Sequence, residues 1–506
     1  MAQGSMVALA ASVDDIDTTD QLMMFEAYQK VFVVNGSILR VADFINTQLS
    51  TSAVAASASL APPLHGTVLT GATSSASMVC DVISSATGSA YVYGYVTSGT
   101  FVSTDTVTGT NATGSVTEVS FALTAAPTDG PHWYSWVPYP GGSSGSLPEK
   151  AYIGCLYRGR AVLAGNPTYP YQWYMSRQAN PWDWAYMALD AQSPVAGGNA
   201  DAGEVGDIIT ALIPYKDDFL IIGCVHSLWV LRGDPAAGGS LDEIDLTTGI
   251  IGPFAYCWDN QNNLYFFGSG GIYRMGPNFA PPENLSISAI PDLIEDLGIS
   301  QGTHRVTMGY DRIRMGLLIS VVMLSDGTAK NYWYDLRMGG LFPLTFGSNC
   351  GPYSLFFYEA QDEANRGLLF GGKDGYIRIP DDDEKNDDNG SEEVAIDSWA
   401  TMGPIQLGQD ADRRGRLQAM TLTTGTDTDT VGWELFSKET AEEIVDSVVA
   451  GSTAFHSGTL SAAGRIQRLR PRTRAAWLAL KLRNNTIDET WQFEKGIASV
   501  RPAGEM

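Results

Sequence analysis

The amino-acid sequence predicts an all-β protein, with a β-propeller, an inserted small β-domain and a C-terminal β-sandwich-like domain. Three observations support this prediction. One hairpin-like pattern recurs along the chain, a long segment without Lys or Arg follows its first copy, and the residues beyond 394 alternate between apolar and polar side chains. Alternation with a period of two is typical of strands that bury one face.

The recurring pattern has a polar or aromatic turn, an apolar run, a glycine-containing reversal and a second strand-like run. Two clear copies begin 43 residues apart, close to the roughly 40–50 residues of one propeller blade. A single hairpin cannot bury both of its faces, so several copies are expected to pack around a common axis. The five copies are Glu26–Phe44, Tyr157–Gly165, Tyr215–Arg232, Trp258–Arg274 and Asn365–Ile379.

The segment between Arg40 and Lys150 contains no Lys or Arg and is rich in Thr, Ser, Val, Ala and Gly. Runs such as Ser89–Gly99 alternate like short strands. We expect residues 46–145 to form a small β-domain inserted into the first blade. Residues 1–45 then hold the N-terminal segment and first propeller strands, and residues 146–380 hold the rest of the propeller. The alternative is a long ordered excursion of the propeller itself.

Residues 290–299 are the one stretch with apolar residues at helical spacing, which predicts a short helix on a loop. Residues 381–393 (DDDEKNDDNGSEE) are too charged to pack and predict a solvated loop or linker. A calcium loop is the alternative, but Lys385 and Ile396 would occupy its first and last ligand positions. Residues 381–506 are therefore expected to comprise an acidic loop and the C-terminal β-domain.

Charge is distributed unevenly along the chain. Residues 1–400 contain 18 Lys and Arg against 43 Asp and Glu, whereas residues 401–506 contain 13 of each class. An acidic body disfavours wrapping nucleic acid, because DNA binding depends on neutralising phosphates. Within the neutral region, five arginines crowd into ten residues, namely Arg465, Arg468, Arg470, Arg472 and Arg474.

The last four of these arginines alternate, so on one strand they would share a face. Like charges on one face repel unless something anionic contacts them. The candidates are acidic surface on a neighbouring copy, which we favour because the body is acidic, and the phosphates of DNA.

The motifs of common enzyme classes are absent from the sequence. It contains no GxSxG, P-loop, HExxH or Rossmann glycine pattern, no sialidase-type SxDxGxxW, and its five histidines lie far apart. We therefore expect no enzyme activity, no cofactor and no metal site. The five cysteines are scattered without CxxC spacing, which favours buried thiols over disulfides or zinc ligands.

Aromatic side chains cluster near residues 133–184 and have two interpretations. Flat rings could stack on carbohydrate, but packing between blades or subunits is the favoured role. The tryptophans concerned are Trp133, Trp136, Trp173, Trp182 and Trp184.

Three segments resemble tail proteins of tailed bacteriophages: residues 158–184, 206–235 with the turn Gly233-Asp234-Pro235, and 248–277. The closing segments 469–484 and 490–496 are also similar to the ends of such proteins. The nearest group is the tail nozzle or packaged-DNA stabilisation proteins of short-tailed phages (podovirus-type tail tube proteins). The resemblance covers roughly residues 150–506.

This resemblance implies a structural virion protein, assembled in the host cytoplasm and located in the phage tail. It would form a homo-oligomeric ring, commonly a hexamer, that extends the DNA channel below the portal and adaptor and retains the genome until ejection. Expected partners are the adaptor and other portal-proximal tail proteins, tail fibres and genomic double-stranded DNA in transit, with no membrane span. The alternatives are a receptor- or polysaccharide-binding tail protein, in a fibre or hub, and a propeller glycosidase.

Overall fold

The structure, a computed structural model, divides the chain into two compact units, residues 1–256 with 261–301 and residues 257–260 with 302–506. Both units are nearly all β, which confirms the prediction of an all-β protein. The residues described are 9, 16–17, 21–55, 59–86, 89–112, 116–139, 144–187, 190–197, 204–290, 293–300, 302–347, 350–381, 383–390, 392–408, 413–461 and 465–505.

In its described residues, the first unit contains 23 strands, of which β20 lies at its boundary, and one short helix. They are β1 (Met23–Ala27), β2 (Lys30–Val34), β3 (Leu39–Asp43), β4 (Thr47–Thr51), β5 (Val68–Gly71), β6 (Ser77–Ala86), β7 (Ser89–Ser98), β8 (Thr106–Thr110), β9 (Glu118–Ala122), β10 (Thr128–Asp129), β11 (His132–Ser135), β12 (Ile153–Tyr157), β13 (Arg160–Asn166), β14 (Tyr169–Met175), β15 (Val195–Ala196), β16 (Ile209–Tyr215), β17 (Phe219–Cys224), β18 (Leu228–Arg232), β19 (Ser240–Asp245), β20 (Tyr256–Trp258), β21 (Leu264–Gly268), β22 (Gly271–Met275), β23 (Glu283–Asn284) and α1 (Leu293–Leu297).

Four of its sheets share one plan, in which four antiparallel strands follow each other in the orders β1-β2-β3-β11, β12-β13-β14-β15, β16-β17-β18-β19 and β20-β21-β22-β23. The turns suit tight reversals, since Tyr28 and Gln29 between β1 and β2, and Arg158 and Gly159 between β12 and β13, all have positive φ. The first strand of one sheet packs beside the first strand of the next, with β1 beside β12 and β12 beside β16. The copies of the sequence pattern therefore correspond to hairpins of successive sheets.

A seven-stranded antiparallel sheet, in the order β10-β4-β7-β6-β5-β8-β9, lies in the chain between β3 and its partner β11. It spans Thr47–Asp129, a narrower range than the expected 46–145, because β11 is the fourth strand of the first sheet. Its apolar residues share one core with the first sheets, and the rings of Tyr93 of β7 and Tyr134 of β11 stack with centroids 4.2 Å apart.

The part of the second unit that the structure describes contains 17 strands and a second helix. They are β24 (His304–Asp311), β25 (Gly316–Met323), β26 (Ala329–Asp335), β27 (Gly340–Leu344), β28 (Pro352–Tyr358), β29 (Gly367–Gly372), β30 (Ile377–Arg378), β31 (Asn386–Asp388), β32 (Glu393–Ala395), β33 (Ser398–Gln406), β34 (Arg413–Thr424), β35 (Val431–Lys438), α2 (Ala441–Val449), β36 (His456–Leu460), β37 (Ile466–Leu469), β38 (Arg474–Ala475), β39 (Trp477–Asn484) and β40 (Phe493–Glu505).

Two further sheets of the second unit repeat the meander, β24-β25-β26-β27 and β28-β29-β30, and β24 packs beside β28. The C-terminal β-domain, residues 398–505, has a four-stranded sheet β33-β39-β35-β36 and a second sheet built around β34. Leucines such as Leu422, Leu435 and Leu480 form the core of these two sheets. Helix α2 packs on β35, β33 and β39, where Ile444 contacts Phe436 and Ala479.

Two expectations differ from this architecture. The acidic run is not simply a solvated loop, because Asn386–Asp388 and Glu393–Ala395 pair as a hairpin in which Asp387 accepts a hydrogen bond from the Gly347 amide. Helix α2 was also missed, so the helix at 290–299, present as Leu293–Leu297, is not the only one.

Candidate functional site

The arginine-rich segment belongs to the sheet whose central strand is β34. Strands β37 and β38 pair with one edge of β34, and β40 pairs with its other edge. Leu417 and Leu422 of β34 are buried in the core, whereas Arg416 is exposed. Alternation along the strand thus gives this sheet one face on the core and one open face.

Three arginines lie side by side on that open face. Arg416 is directly opposite Arg474 of β38 and also directly opposite Arg501 of β40, and all three side chains are exposed. Opposed residues of antiparallel strands hold their Cβ atoms about 4.5–5.5 Å apart on one face, where like charges repel. We call these three residues the arginine row.

The remaining predicted arginines follow the same edge of the sheet. Arg468 of β37 lies opposite Thr421, and Arg470 and Arg472 lie in the connection between β37 and β38. All three are exposed, but only Arg468 is placed on the open face by strand pairing, because Arg470 and Arg472 lie outside the strands.

The four arginines do not lie on one continuous strand, however. Pro471 has no N–H to donate to a ladder, and Arg472 has a φ of +52°, outside the strand region. The pairing resumes only at Arg474, after Thr473 accepts a hydrogen bond from the Leu417 amide at 2.9 Å.

Arg465 has a different environment from the other four. Its Nη2 atom lies 2.9 Å from each carboxylate oxygen of Glu494, so its charge is compensated within the chain. Sequence spacing alone grouped it with arginines that have no such partner.

The other arginines are uncompensated in the part of the chain that the structure describes. The side chains that make no ion pair or hydrogen bond to described residues there are Arg416, Arg468, Arg470, Arg472, Arg474 and Arg501. Ile466, which is 68% exposed, and Ile497, which is 55% exposed, lie opposite Thr423 and Thr421 on the same side. These six arginines and two isoleucines are called the arginine face below.

Strand β40 gives this face an open edge. Its only partner among the described strands is β34, and its residues from Glu494 to Pro502 are all exposed. A long strand with an unpaired edge offers backbone donors and acceptors to another chain. The arginine face therefore has the features of a surface that binds an anionic, partly apolar partner.

The tryptophan cluster has no comparable open surface. Trp136, Trp173, Trp182 and Trp184 are at most 1% exposed, and the indoles of Trp136 and Trp184 both donate to the Pro181 carbonyl. Buried rings cannot stack on a sugar, so these four residues have the packing role. Trp133 of β11 is half-buried.

A buried charge network, which sequence reasoning missed, joins the first sheet to the inserted sheet. Lys30 of β2 lies 2.7 Å from Asp81 of β6, and Asp81 also accepts from Asn46 at 2.9 Å and contacts His65 Nδ1 at 3.2 Å. Burial raises the pKa of Asp81, but the hydrogen bond from His65 and the charge of Lys30 outweigh it and hold that pKa well below normal. Burial lowers the pKa of His65, but its hydrogen bonds to Asp81 raise it overall.

The remaining sequence predictions concern the cysteines, metal ligands and membrane spans. All five cysteines are buried free thiols, as expected for small core residues, and burial raises the pKa of Cys80 and Cys224 to about 12. Across the described ranges, no three His, Cys, Asp or Glu side chains are grouped to hold a metal ion. Neither helix of those ranges is long and apolar enough to cross a bilayer.

Comparison with known proteins finds only weak similarity to solved structures. No family model and no curated relative matches this chain. Among solved structures, an extracellular domain from B. thetaiotaomicron is similar over 71% of this chain at 9% identity and a TM-score of 0.34, and this chain spans 38% of its length. A Bacteroides thetaiotaomicron protein of unknown function matches 70% of this chain and 96% of its own at 10% identity and a TM-score of 0.22. PorZ of Porphyromonas gingivalis matches 78% of this chain and 57% of its own at 13% identity and a TM-score of 0.22. Scores this low carry no argument about function.

Proposed function

We propose that this chain is a structural subunit of a short-tailed phage tail, of the nozzle type, and that its arginine face holds it to an acidic protein surface in the assembled tail. The successive four-stranded sheets would be blades of a β-propeller, and the inserted sheet would be an outgrowth of the first blade. Support comes from the resemblance of residues 150–506 to nozzle proteins and from the surface of the C-terminal β-domain.

The observation that carries the proposal is the arginine row. Arg474, Arg416 and Arg501 stand opposite one another with no compensating partner among the described residues. Such a row disfavours the isolated chain, because like charges directly opposite destabilise a sheet. Guanidinium groups pair bidentately with carboxylates, so an acidic partner would turn this repulsion into attraction of defined geometry.

The partner class follows from the rest of the face. Arginine is enriched at protein interfaces, and exposed apolar side chains such as Ile466 and Ile497 bury favourably against protein. The body of the chain carries the whole net charge of −25, so acidic surface is available on neighbouring copies. In the proposed tail, copies form a ring, commonly a hexamer in the family, beneath the adaptor, and genomic DNA passes through its channel.

A second candidate is direct contact of the arginine face with DNA phosphates. Arginine binds phosphate as readily as carboxylate, and the face has six uncompensated guanidinium groups. The two exposed isoleucines favour the protein partner, since they have no role against a phosphate backbone.

The test uses particles produced by cells that carry the gene. Antibodies against the purified chain should label one vertex of each particle at its tail. Particles made with the R472E/R474E variant should lack the tail ring and lose their DNA to added nuclease. The matched control, K216E/K330E, changes charge equally at exposed lysines elsewhere in the chain and should leave particles intact.

Two outcomes would overturn the proposal. Purified particles could contain none of this chain, or the label could lie on fibres, which would support the receptor-binding alternative. Particles of R472E/R474E that keep their ring but release DNA prematurely would instead favour the DNA-contact candidate.

A further inference from the structure

The C-terminal β-domain carries opposite charges at the two ends of strand β34. The arginine row lies near the start of β34, at Arg416. The end of the strand, Thr424, is followed by loops in which Gly425 donates to the Gln492 carbonyl and Asp429 donates to the Thr490 carbonyl. About eight residues at roughly 3.3 Å each separate Arg416 from Thr424, which is about 26 Å.

The surface beside the Thr424 end of β34 is acidic and exposed. Lys385, which precedes the hairpin β31–β32, lies 3.6 Å from Asp429, and Asn386 donates to Asp488 at 2.7 Å, so the hairpin is anchored beside the loops that follow β34. Lys385 is the one exposed lysine of the described hairpin segment. The exposed carboxylates there are Asp381, Asp383, Glu384, Asp388, Glu392, Glu393, Asp427 and Asp488. We call this set the acidic end.

The two charged regions cannot neutralise each other within one chain. The arginine row and the acidic end lie at opposite ends of β34, and no ion pair among the described residues joins a member of the arginine row to the acidic end. The separation also exceeds the Debye length of about 8 Å at physiological salt, so their attraction within a copy is screened. Each end remains complementary to the other end of a second copy.

We infer that the arginine row binds the acidic end of a second copy of this chain, head to tail. Charge complementarity identifies a second copy of the chain as the binding partner. The open edge and exposed faces of β40 provide additional surface that such a contact would cover. Because the two contacting surfaces differ, the contact is heterologous, and its repetition gives a closed ring or an open filament rather than a two-fold dimer. This inference rests on the assembly role proposed above but not on the phage assignment.

The experiment is sedimentation velocity on the purified full-length chain and two neutralised variants. R416Q/R474Q removes charge from the arginine face, and E384Q/E392Q removes charge from the acidic end, at exposed positions that the core does not need. Wild type should form species larger than a dimer that dissociate as salt is raised. Each variant alone should self-associate at least tenfold more weakly than wild type. At the protein concentration where wild type forms oligomers, each variant should therefore be mainly monomeric.

The decisive sample is an equimolar mixture of the two variants. Each variant retains one intact end, so the mixture should form dimers and nothing larger. Each variant should unfold at the temperature of the wild-type monomer or above it, which shows that the substitutions leave the fold intact.

Several results would overturn the inference. These are a monomeric wild type at all concentrations, variants that assemble like wild type, mixtures that exceed dimers, and a wild-type dimer that the mixture does not change. A monomer that binds a short duplex DNA through the arginine face would assign that face to nucleic acid. Head-to-tail oligomers of a chain that is absent from particles would leave this inference standing while removing the proposed phage function.

Discussion

Arg416 should destabilise the isolated chain, because it is the middle member of the arginine row. Opposed Cβ atoms are about 5 Å apart, and two unit charges about 6 Å apart repel by about 0.7 kcal/mol in water, or about 0.3 kcal/mol with physiological screening. Arg416 has two such neighbours, Arg474 and Arg501. Arg416→Thr should therefore stabilise the monomer by about 0.5–1.5 kcal/mol, since threonine also suits a strand.

The assay is thermal unfolding at protein concentrations low enough to keep the chain monomeric. A gain of 1 kcal/mol corresponds to a rise of about 2–4 °C for a unit of this size. The rise should be largest at low ionic strength and should shrink in high salt, where the repulsion is screened. At higher protein concentration the same variant should assemble less well than wild type.

The matched control is Arg274, which lies directly opposite Glu283 in β22–β23 with its Nη2 atom 2.8 Å from the carboxylate. Arg274→Thr removes an exposed cross-strand attraction, so its unfolding temperature should stay level or fall slightly. A loss of stability in Arg416→Thr at low salt would refute the reasoning, because it would mean that the arginine row is compensated within the chain.

Three further predictions concern the first unit and the thiols. Lys30→Met should lower the free energy of unfolding by about 1–3 kcal/mol in urea titrations, because it leaves the largely buried Asp81 with His65 as its remaining cationic partner among the described residues. Folding raises the pKa of His65, so His65 stabilises the fold fully below its unfolded pKa of 6.5, and this stabilisation is lost as pH rises through the folded pKa. Folding lowers the pKa of Asp81, so Asp81 stabilises the fold above its unfolded pKa of 3.8, and this stabilisation is lost in acid. The unfolding temperature should thus peak between about pH 4 and pH 6.5, and His65→Gln, but not the exposed-site control His226→Gln, should flatten the decline above that range. Native protein should show no thiol reactive to Ellman's reagent and five after denaturation, since all cysteines are buried.

The sequence correctly predicted those parts of the fold that short local residue patterns determine. Hairpins recur because each copy pairs an apolar run with a tight turn, and the turn at Tyr28 and Gln29 adopts the positive φ angles that such turns need. The limits of the inserted sheet were less predictable, because β11 pairs with β3 across some ninety intervening residues and nothing local marks it as the fourth strand. Helix α2 had a detectable signal: Thr440 caps it by accepting from the Glu443 amide, the Thr-x-x-Glu pattern of a capping box.

The site was predicted in part, for a related reason. Spacing alone singled out Arg468 and Arg474, which lie on strands of the sheet, and Arg470 and Arg472, which lie exposed in the connection between those strands. It could not reveal Arg416 and Arg501, because only strand register brings distant residues opposite Arg474. Nor could it separate Arg465, whose partner Glu494 comes from another strand.

The contact between copies can be tested most directly by cross-linking, because the buried native thiols leave introduced cysteines as the only reactive ones. Ser499 lies on exposed β40 beside the arginine face, and Thr426 lies exposed at the acidic end. Treated with a short bismaleimide that cannot span the two positions within one chain, S499C/T426C should give a ladder of covalent dimers, trimers and larger species on denaturing gels, while each single variant should stay monomeric. A double variant that forms no ladder, or S499C alone forming dimers, would contradict head-to-tail assembly through the arginine face.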